Sequence, residues 1–198
     1  MCQAESLAIV PGTIPIASIV ADSTQTTGLK WAAPASGGGM TSIASGSLTG
    51  STVSLTSISG SYKNLQLVLR DYYLNTNSNP NMFIKLNSIT NYNWIYQYFT
   101  SGTAAAFSAK RADTRFIAAH DYIGYTDMNA SSVFDIYDYT SSVDKIITGS
   151  SAYKNASSVE DYSFHTGNAV MSAAVTSIDI TVTGATFDGG TYILYGVN

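Results

Sequence analysis

The sequence predicts an all-β protein, an antiparallel β-sandwich of the jelly-roll type preceded by an extended N-terminal arm. Apolar and polar residues alternate in short segments from Met40 to the end of the chain, and turn residues such as those at 59–61 and 188–190 separate these segments. Residues 1–39 show no sustained period and end in three glycines. We therefore expect an anchoring arm with a Gly-rich hinge at 1–39 and a β-sandwich domain at 40–198.

The arm is rich in apolar residues but has no pattern that would let it bury them within itself. Pro11, Pro15 and Pro34 remove backbone donors and hold their preceding residues extended, so a helix is not expected. The apolar side chains are therefore expected to pack against another chain and to anchor the protein to a larger assembly. The predicted anchoring residues are Leu7, Ile9, Val10, Ile14, Ile16, Ile19, Val20 and Trp31.

The body is divided into segments with the two-residue period of β-strands. Leu65, Leu67 and Leu69 alternate with mostly polar neighbours, which is typical of a half-buried strand. Residues 103–112, which include three consecutive alanines, have the only helical character and are assigned one short turn at most. The predicted strands are 40–46, 51–58, 63–74, 82–87, 92–99, 114–119, 132–139, 144–153, 162–175, 177–183 and 190–197.

This many short strands without a long helix indicates two stacked antiparallel sheets. A jelly roll closes such a set of strands while protecting the sheet edges, and it is the arrangement that we predict. A barrel-like or an immunoglobulin-like sandwich is the alternative.

The composition favours an assembled protein and disfavours several classes of partner. Charged residues make up 11% of the chain, the net charge is -4, and no basic patch is present, so nucleic acid is not expected as a partner. Few charges with a mean hydropathy of +0.09 leave little repulsion to oppose association. No apolar stretch approaches the roughly 20 residues of a membrane helix. No Lys or Arg precedes Lys30, so we expect no secretory signal and synthesis in a cytoplasm.

Three segments resemble parts of bacteriophage structural proteins. Residues 21–32, ADSTQTTGLKWA, resemble a segment that recurs in tail-fibre and other structural proteins of tailed bacteriophages, where it precedes a distal domain. Residues 58–70, ISGSYKNLQLVLR, and 190–197, GTYILYGV, are similar to the first core strand and the terminal strand of a β domain in such proteins. The middle of the chain, 72–182, does not share the resemblance.

This resemblance implies a virion structural protein, which is a fibre, a spike or a capsid decoration. The expected partners are other virion proteins of the capsid, baseplate or tail, and the expected oligomer is a homotrimer. The chain is short and has neither repeats nor coiled-coil heptads, in contrast to long tail fibres. A compact knob that is attached to the virion by its arm is therefore favoured over a shaft.

A row of aromatic residues is the sharpest pattern in the body. Tyr92, Trp94, Tyr96 and Tyr98 fall at alternate positions, so in a regular strand they share one face. Such a row can stack on host-surface glycans, pack in a subunit interface or fill the sandwich core. Packing against protein is favoured, because four exposed rings in a row would promote aggregation.

A polar aromatic segment follows further along the chain. His120, Asp121 and Tyr122 precede Tyr125, and this combination of planar and hydrogen-bonding groups is typical of sugar sites. A solvated turn is the favoured interpretation of this segment, and the sugar site is the alternative. Together with the aromatic row, these residues are the candidates for a glycan or subunit contact.

No catalytic or metal-binding pattern rises above chance. Serines are so abundant that their combination with His120, His165 and several aspartates does not specify a triad, and no Gly-x-Ser-x-Gly segment is present. Two histidines and one cysteine, Cys2, do not specify a zinc site or a disulfide. We therefore expect no enzymatic activity, no metal and no cofactor. The leading hypothesis is a non-enzymatic virion protein, and the alternative is a carbohydrate-binding domain that recognises host-surface glycans.

Overall fold

The chain divides into two compact units, Met1–Gly39 and Met40–Asn198. The computed structural model describes residues 18–21, 29–32, 39–76, 80–101, 105–120, 130–154 and 158–198, and for the first two ranges it describes the backbone alone. No helix occurs within these ranges, and all of the regular structure is β.

The first unit contains a short antiparallel strand pair. Strand β1, Ser18–Ala21, pairs with β2, Leu29–Ala32, so that Ile19 lies opposite Trp31. The sequence predicts an extended or turn-rich arm without a strand period, and the pair differs from that expectation because four-residue strands are too short to show a sustained alternation. The predicted anchoring residues outside the described residues are Leu7, Ile9, Val10, Ile14 and Ile16.

The described residues of the second unit form twelve strands in two antiparallel sheets. The strands are β3 Met40–Ser47, β4 Thr52–Leu55, β5 Asn64–Leu74, β6 Asn81–Leu86, β7 Tyr92–Thr100, β8 Ala106–Asp113, β9 Phe116–Ala119, β10 Ala130–Ile136, β11 Lys145–Lys154, β12 Glu160–Ala169, β13 Ile178–Thr183 and β14 Phe187–Val197. The larger sheet has the order β3-β14-β5-β10-β11-β12-β7-β8 and the smaller sheet has the order β4-β13-β6-β9.

Eight of these strands form a jelly roll. The order β3-β14-β5-β10 in one sheet faces β4-β13-β6-β9 in the other, which is the strand order of two nested Greek keys. The remaining four strands are two insertions in the chain, β7 and β8 between β6 and β9, and β11 and β12 between β10 and β13. Because β12 pairs with β7, the insertions join and widen one sheet from four strands to eight. The predicted jelly-roll sandwich is thus confirmed.

Strand β8 is the main local departure from the sequence prediction. The predicted short turn at 103–112 overlaps a strand in which Ser108 lies opposite Tyr96 and Lys110 lies opposite Trp94. Alanine favours a helix by only tenths of a kcal/mol per residue over most residues, so pairing with β7 outweighs the local preference.

The core lies between the two sheets and is built from the alternating apolar residues. Leu65, Leu67 and Leu69 of β5 are fully buried, as the period of this segment predicts. Full burial of each such side chain stabilises the fold by about 1.5–3 kcal/mol. At Gly149 of β11, a side chain would collide with the ring of Phe134, so the glycine leaves room for an aromatic residue of the core.

Candidate functional site

The aromatic row of β7 faces the smaller sheet and belongs to the core. Tyr92, Trp94 and Tyr96 are buried, and Tyr98 is half-buried and packs against the same cluster. The Leu86 amide of β6 donates a hydrogen bond to the Tyr92 hydroxyl at 2.6 Å, which ties the row to the opposite sheet. The four rings share one face as predicted, and three of them are buried within the protein.

The insertions explain why this face is covered. Strands β7, β11 and β12 each contact β9, the edge strand of the smaller sheet. The widened part of the larger sheet therefore lies over this edge, and the aromatic row on its inner face is covered. The sequence does not reveal this cover, because the contacts join segments far apart in the chain.

His120 joins the aromatic row at the end of β9. Its imidazole lies 4.9 Å from the ring centroid of Tyr96 and 6.3 Å from that of Tyr98. The Tyr153 hydroxyl donates to the His120 carbonyl at 3.0 Å and holds the backbone at this point. Thus His120 is brought together with the row, whereas Asp121, Tyr122 and Tyr125 lie outside the described residues.

Asp113 fixes the position of Trp94. The indole Nε1 of Trp94 donates to Asp113 Oδ2 at 3.1 Å, Lys110 Nζ lies 3.2 Å from the same oxygen, and the Thr114 amide donates to Oδ1 at 2.6 Å. Burial opposes ionisation of Asp113, but hydrogen bonds from Lys110 and Thr114, the charge of Lys110 and the bond from Trp94 hold the pKa of the carboxyl below its ordinary value. Asp113 is therefore an ionised anchor beside the row.

A serine and a histidine meet inside the sandwich, but they are closed to solvent. Ser163 Oγ lies 2.8 Å from His165 Nε2, and both side chains are buried. Burial, followed by the proximity of His120, lowers the pKa of His165 to about 3, so the imidazole is neutral at pH 7. His165 Nδ1 has no hydrogen-bond partner among the described residues, so no third group orients this pair as a triad requires.

A series of buried hydrogen bonds connects the two sheets. The Tyr72 hydroxyl lies 2.8 Å from Ser132 Oγ, Ser132 donates to Ser151 Oγ at 2.7 Å, and Ser151 donates to the Ala118 carbonyl of β9 at 2.7 Å. Burial raises the pKa of the Tyr72 hydroxyl, which keeps it protonated. Each hydroxyl group in this series of hydrogen bonds has a partner. Because buried polar groups cost free energy unless they are paired, we assign these hydrogen bonds a structural role.

The opposite face of the widened sheet is exposed and aromatic. Phe107 is 79% exposed and Phe164 is 58% exposed, and the rings of Phe99 and Phe164 meet edge to face at 6.1 Å between centroids. The register places Tyr162 opposite Phe99 and Phe164 opposite Gln97, which lies opposite Phe107. We call this surface the outer aromatic face, and its apolar residues are Ile95, Phe99, Phe107, Tyr162 and Phe164.

Shallow grooves with mainly uncharged walls cross the outer aromatic face. One groove, of about 310 Å³, runs beside Tyr162 and Phe164 and is lined by serines that include Ser131 and Ser150. Two others, of about 360 and 350 Å³, are lined mainly by uncharged residues, with Lys110 and Arg111 in the first and Asp135 in the second. Aromatic rings and neutral groups thus occupy the middle of the face, and charges lie at its margins.

The sequence contains a signal for this face, but the signal is ambiguous. Strand β7 is aromatic or apolar on both sides, because Ile95 and Phe99 alternate with the row from Tyr92 to Tyr98. Such a composition is typical of a strand that is covered on both faces. The period identifies two sets of residues and does not tell which set lies in the core.

The described residues contain no group of three or more His, Cys, Asp or Glu side chains that could hold a metal ion. Within the same part of the chain, no helix has the length and apolar character needed to cross a membrane.

Comparisons with protein-family models, curated proteins and solved structures found no match to this chain.

Proposed function

We propose that the chain is a non-enzymatic structural protein of a tailed-bacteriophage virion, either a fibre, a spike or a capsid decoration. In this proposal the arm docks to capsid, baseplate or tail, and the jelly roll of 40–198 is the displayed knob. The division of the chain into two compact units carries the proposal. Because the described residues of the body form a hydrophobic core, we infer that the apolar residues of the arm serve assembly. The resemblance of residues 21–32 to phage structural proteins adds support.

The arm is tested by deleting residues 1–36. We expect a body with an unchanged β-sheet circular dichroism spectrum that no longer incorporates into particles. The full-length protein is the control, and an antibody against the knob, imaged by electron microscopy on purified particles, reports incorporation. A deletion protein that unfolds, or one that still decorates particles, would contradict the role of the arm.

We further propose that copies of the chain meet through the outer aromatic face and form a homotrimer. The cores of subunit interfaces are enriched in aromatic residues and depleted of charge, as the middle of this face is. Contact with a second copy at the middle of this face brings no like charges together. Closed rotational symmetry buries the face of every copy in the oligomer.

Light scattering on the full-length protein tests this contact. Phe164→Glu places a charge in the centre of the face and should shift the protein from trimer to monomer. Val143→Glu is the matched control, because Val143 is 63% exposed and lies in the turn before β11. A wild-type monomer at micromolar concentration, or a trimer that tolerates Phe164→Glu, would contradict the proposal.

Recognition of host-surface glycans is a second candidate function, and a cleft beside the aromatic row favours it. The cleft has a volume of about 190 Å³ and combines aromatic, amide and charged groups, as sugar sites do. Its lining residues are Asn81, Phe83, Trp94, Lys110, Asp113, Arg115, Ile117 and His120. A glycan array with the full-length protein tests this function. Specific binding supports it, and absence of binding to every glycan leaves the structural function alone.

A further inference from the structure

We propose that the cleft beside the aromatic row binds an acidic sugar residue, with the carboxylate of the sugar held by Arg115 and Lys110. This inference rests on the glycan-recognition candidate and narrows it to one class of ligand. Three features of the cleft support the inference: its charge, the fixed position of its two cationic side chains, and its volume.

Positive charge is concentrated in the cleft of an acidic protein. The whole chain has nine Lys and Arg residues and a net charge of -4, and Lys110 and Arg115 both line this one cleft. Asp113 is the only acidic side chain among the described lining residues, and it already accepts from Trp94 and the Thr114 amide. Two cationic groups thus stand against one carboxylate, so the cleft attracts a monoanion.

Arg115 is held in a defined place by an aromatic ring. Its guanidinium carbon lies 3.8 Å from the ring centroid of Phe83, and the Phe83 side chain is buried. A guanidinium stacked on a ring keeps its planar edge for hydrogen bonding, and that edge matches the two oxygens of a carboxylate. Preorganisation lowers the entropy that a flexible arginine would lose on binding.

Lys110 is held by an acidic residue of its own strand, β8. Its ammonium lies 3.2 Å from Asp113 Oδ2, and its position on β8 is opposite Trp94 on β7. The side chain is 59% exposed, so it lies at the mouth of the cleft, where a carboxylate from solvent meets it. Arg115 and Lys110 therefore offer one anchored cation within the cleft and one at its opening.

The rest of the lining is suited to a single sugar ring. Phe83 and Ile117 are apolar, while Asn81 and His120 carry polar groups that can hydrogen-bond to hydroxyls. The volume of about 190 Å³ is smaller than the roughly 300–1,000 Å³ typical of sites for drug-sized ligands. One sugar residue fits this space, whereas an oligosaccharide would extend beyond it.

Calorimetric titration of the full-length protein with glucuronate tests the inference. Glucose is the neutral counterpart of the same shape, and acetate and inorganic phosphate report simple anion binding. We expect glucuronate to bind at least tenfold more tightly than glucose or acetate. Its affinity should fall as salt is added, because the attraction between charges is screened.

Variants identify the cleft as the site. Arg115→Gln should weaken glucuronate binding by roughly ten- to hundredfold, in line with the loss of hydrogen bonds to a charged group. Lys110→Gln should weaken it by a smaller factor. Lys63→Gln is the matched control, because Lys63 is exposed and does not line the cleft, and its affinity should be unchanged. Circular dichroism melting of each variant confirms that it is folded.

The outcomes separate this inference from the function on which it rests. Equal binding of glucose and glucuronate would refute the preference for acidic sugars and leave glycan recognition standing. Acetate or phosphate binding as tightly as glucuronate would refute sugar recognition in the cleft. Binding of none of the probes would overturn the acidic-sugar site, and a glycan array without signal would then remove the glycan candidate as well. Unchanged affinity in Arg115→Gln and Lys110→Gln would place the ligand elsewhere.

Discussion

Replacing Trp94 by alanine tests the assignment of the aromatic row to the core. The side chain is 7% exposed, contacts the ring of Tyr96 at 5.7 Å between centroids and donates to Asp113. Truncation of a large buried aromatic residue costs about 3–5 kcal/mol. For a domain of this size, each kcal/mol lowers the melting temperature by about 2–4 °C. The melting temperature of Trp94→Ala should therefore fall by roughly 6–20 °C.

The neighbouring residue on the same strand is the matched control. Ile95 lies on the opposite face and is 53% exposed, so Ile95→Ala should change the stability of the body by less than about 1 kcal/mol. Thermal unfolding of the full-length variants, followed by circular dichroism at several protein concentrations, is the assay. A loss in Ile95→Ala that depends on concentration would report the subunit contact. Unchanged melting of Trp94→Ala would refute the assignment of the row to the core.

Three further predictions concern the buried side of the widened sheet. Gly149→Ala should destabilise the body by about 1–3 kcal/mol in urea unfolding, because the added methyl group collides with Phe134, and unchanged stability would contradict that packing. Ser151→Ala should cost about 1–3 kcal/mol in the same assay, since it removes the donor to the Ala118 carbonyl, and a neutral effect would show that water replaces it. Burial lowers the pKa of His165 from 6.5 to about 3 in the folded state, so its contribution to stability is present above pH 6.5 and is lost as the pH falls towards 3. The melting temperature should accordingly fall over this range, and His165→Gln should make the fall shallower; equal slopes would contradict the assignment.

Local periodicity predicted the fold class because most of the jelly-roll strands carry their pattern within themselves. The alternation of Leu65, Leu67 and Leu69 is local, and so are the turns that bound β5. Within the body, β8 is a strand that the sequence missed; it is exposed at most positions and is stabilised by pairing with β7. A strand without a buried face leaves no period in the sequence, so its detection requires knowledge of its partner.

The candidate sites were predicted less well because they depend on which face another segment covers. Trp94 and His120 are both close to the cleft, as their aromatic and polar character suggested, but the cations beside them went unnoticed. Lys110 and Arg115 are five residues apart and flank the end of a strand, so the sequence shows only a short basic cluster with Arg111. The turn between β8 and β9 folds them into one cleft.

The order of strands in the larger sheet shows that one insertion is attached to the jelly roll through the other. Strand β11 pairs directly with β10 of the jelly roll, whereas the β7–β8 hairpin joins this sheet only through β12. A chain without β11 and β12 would leave β7 and β8 with no neighbour in the sheet, but a chain without β7 and β8 would keep β11 and β12 attached. The outer hairpin, β7–β8, thus depends on the inner pair, β11–β12, for its place in the sheet. Because Lys110 and Asp113 lie on β8, this side of the cleft is linked to the jelly-roll strands of the larger sheet only through β11 and β12.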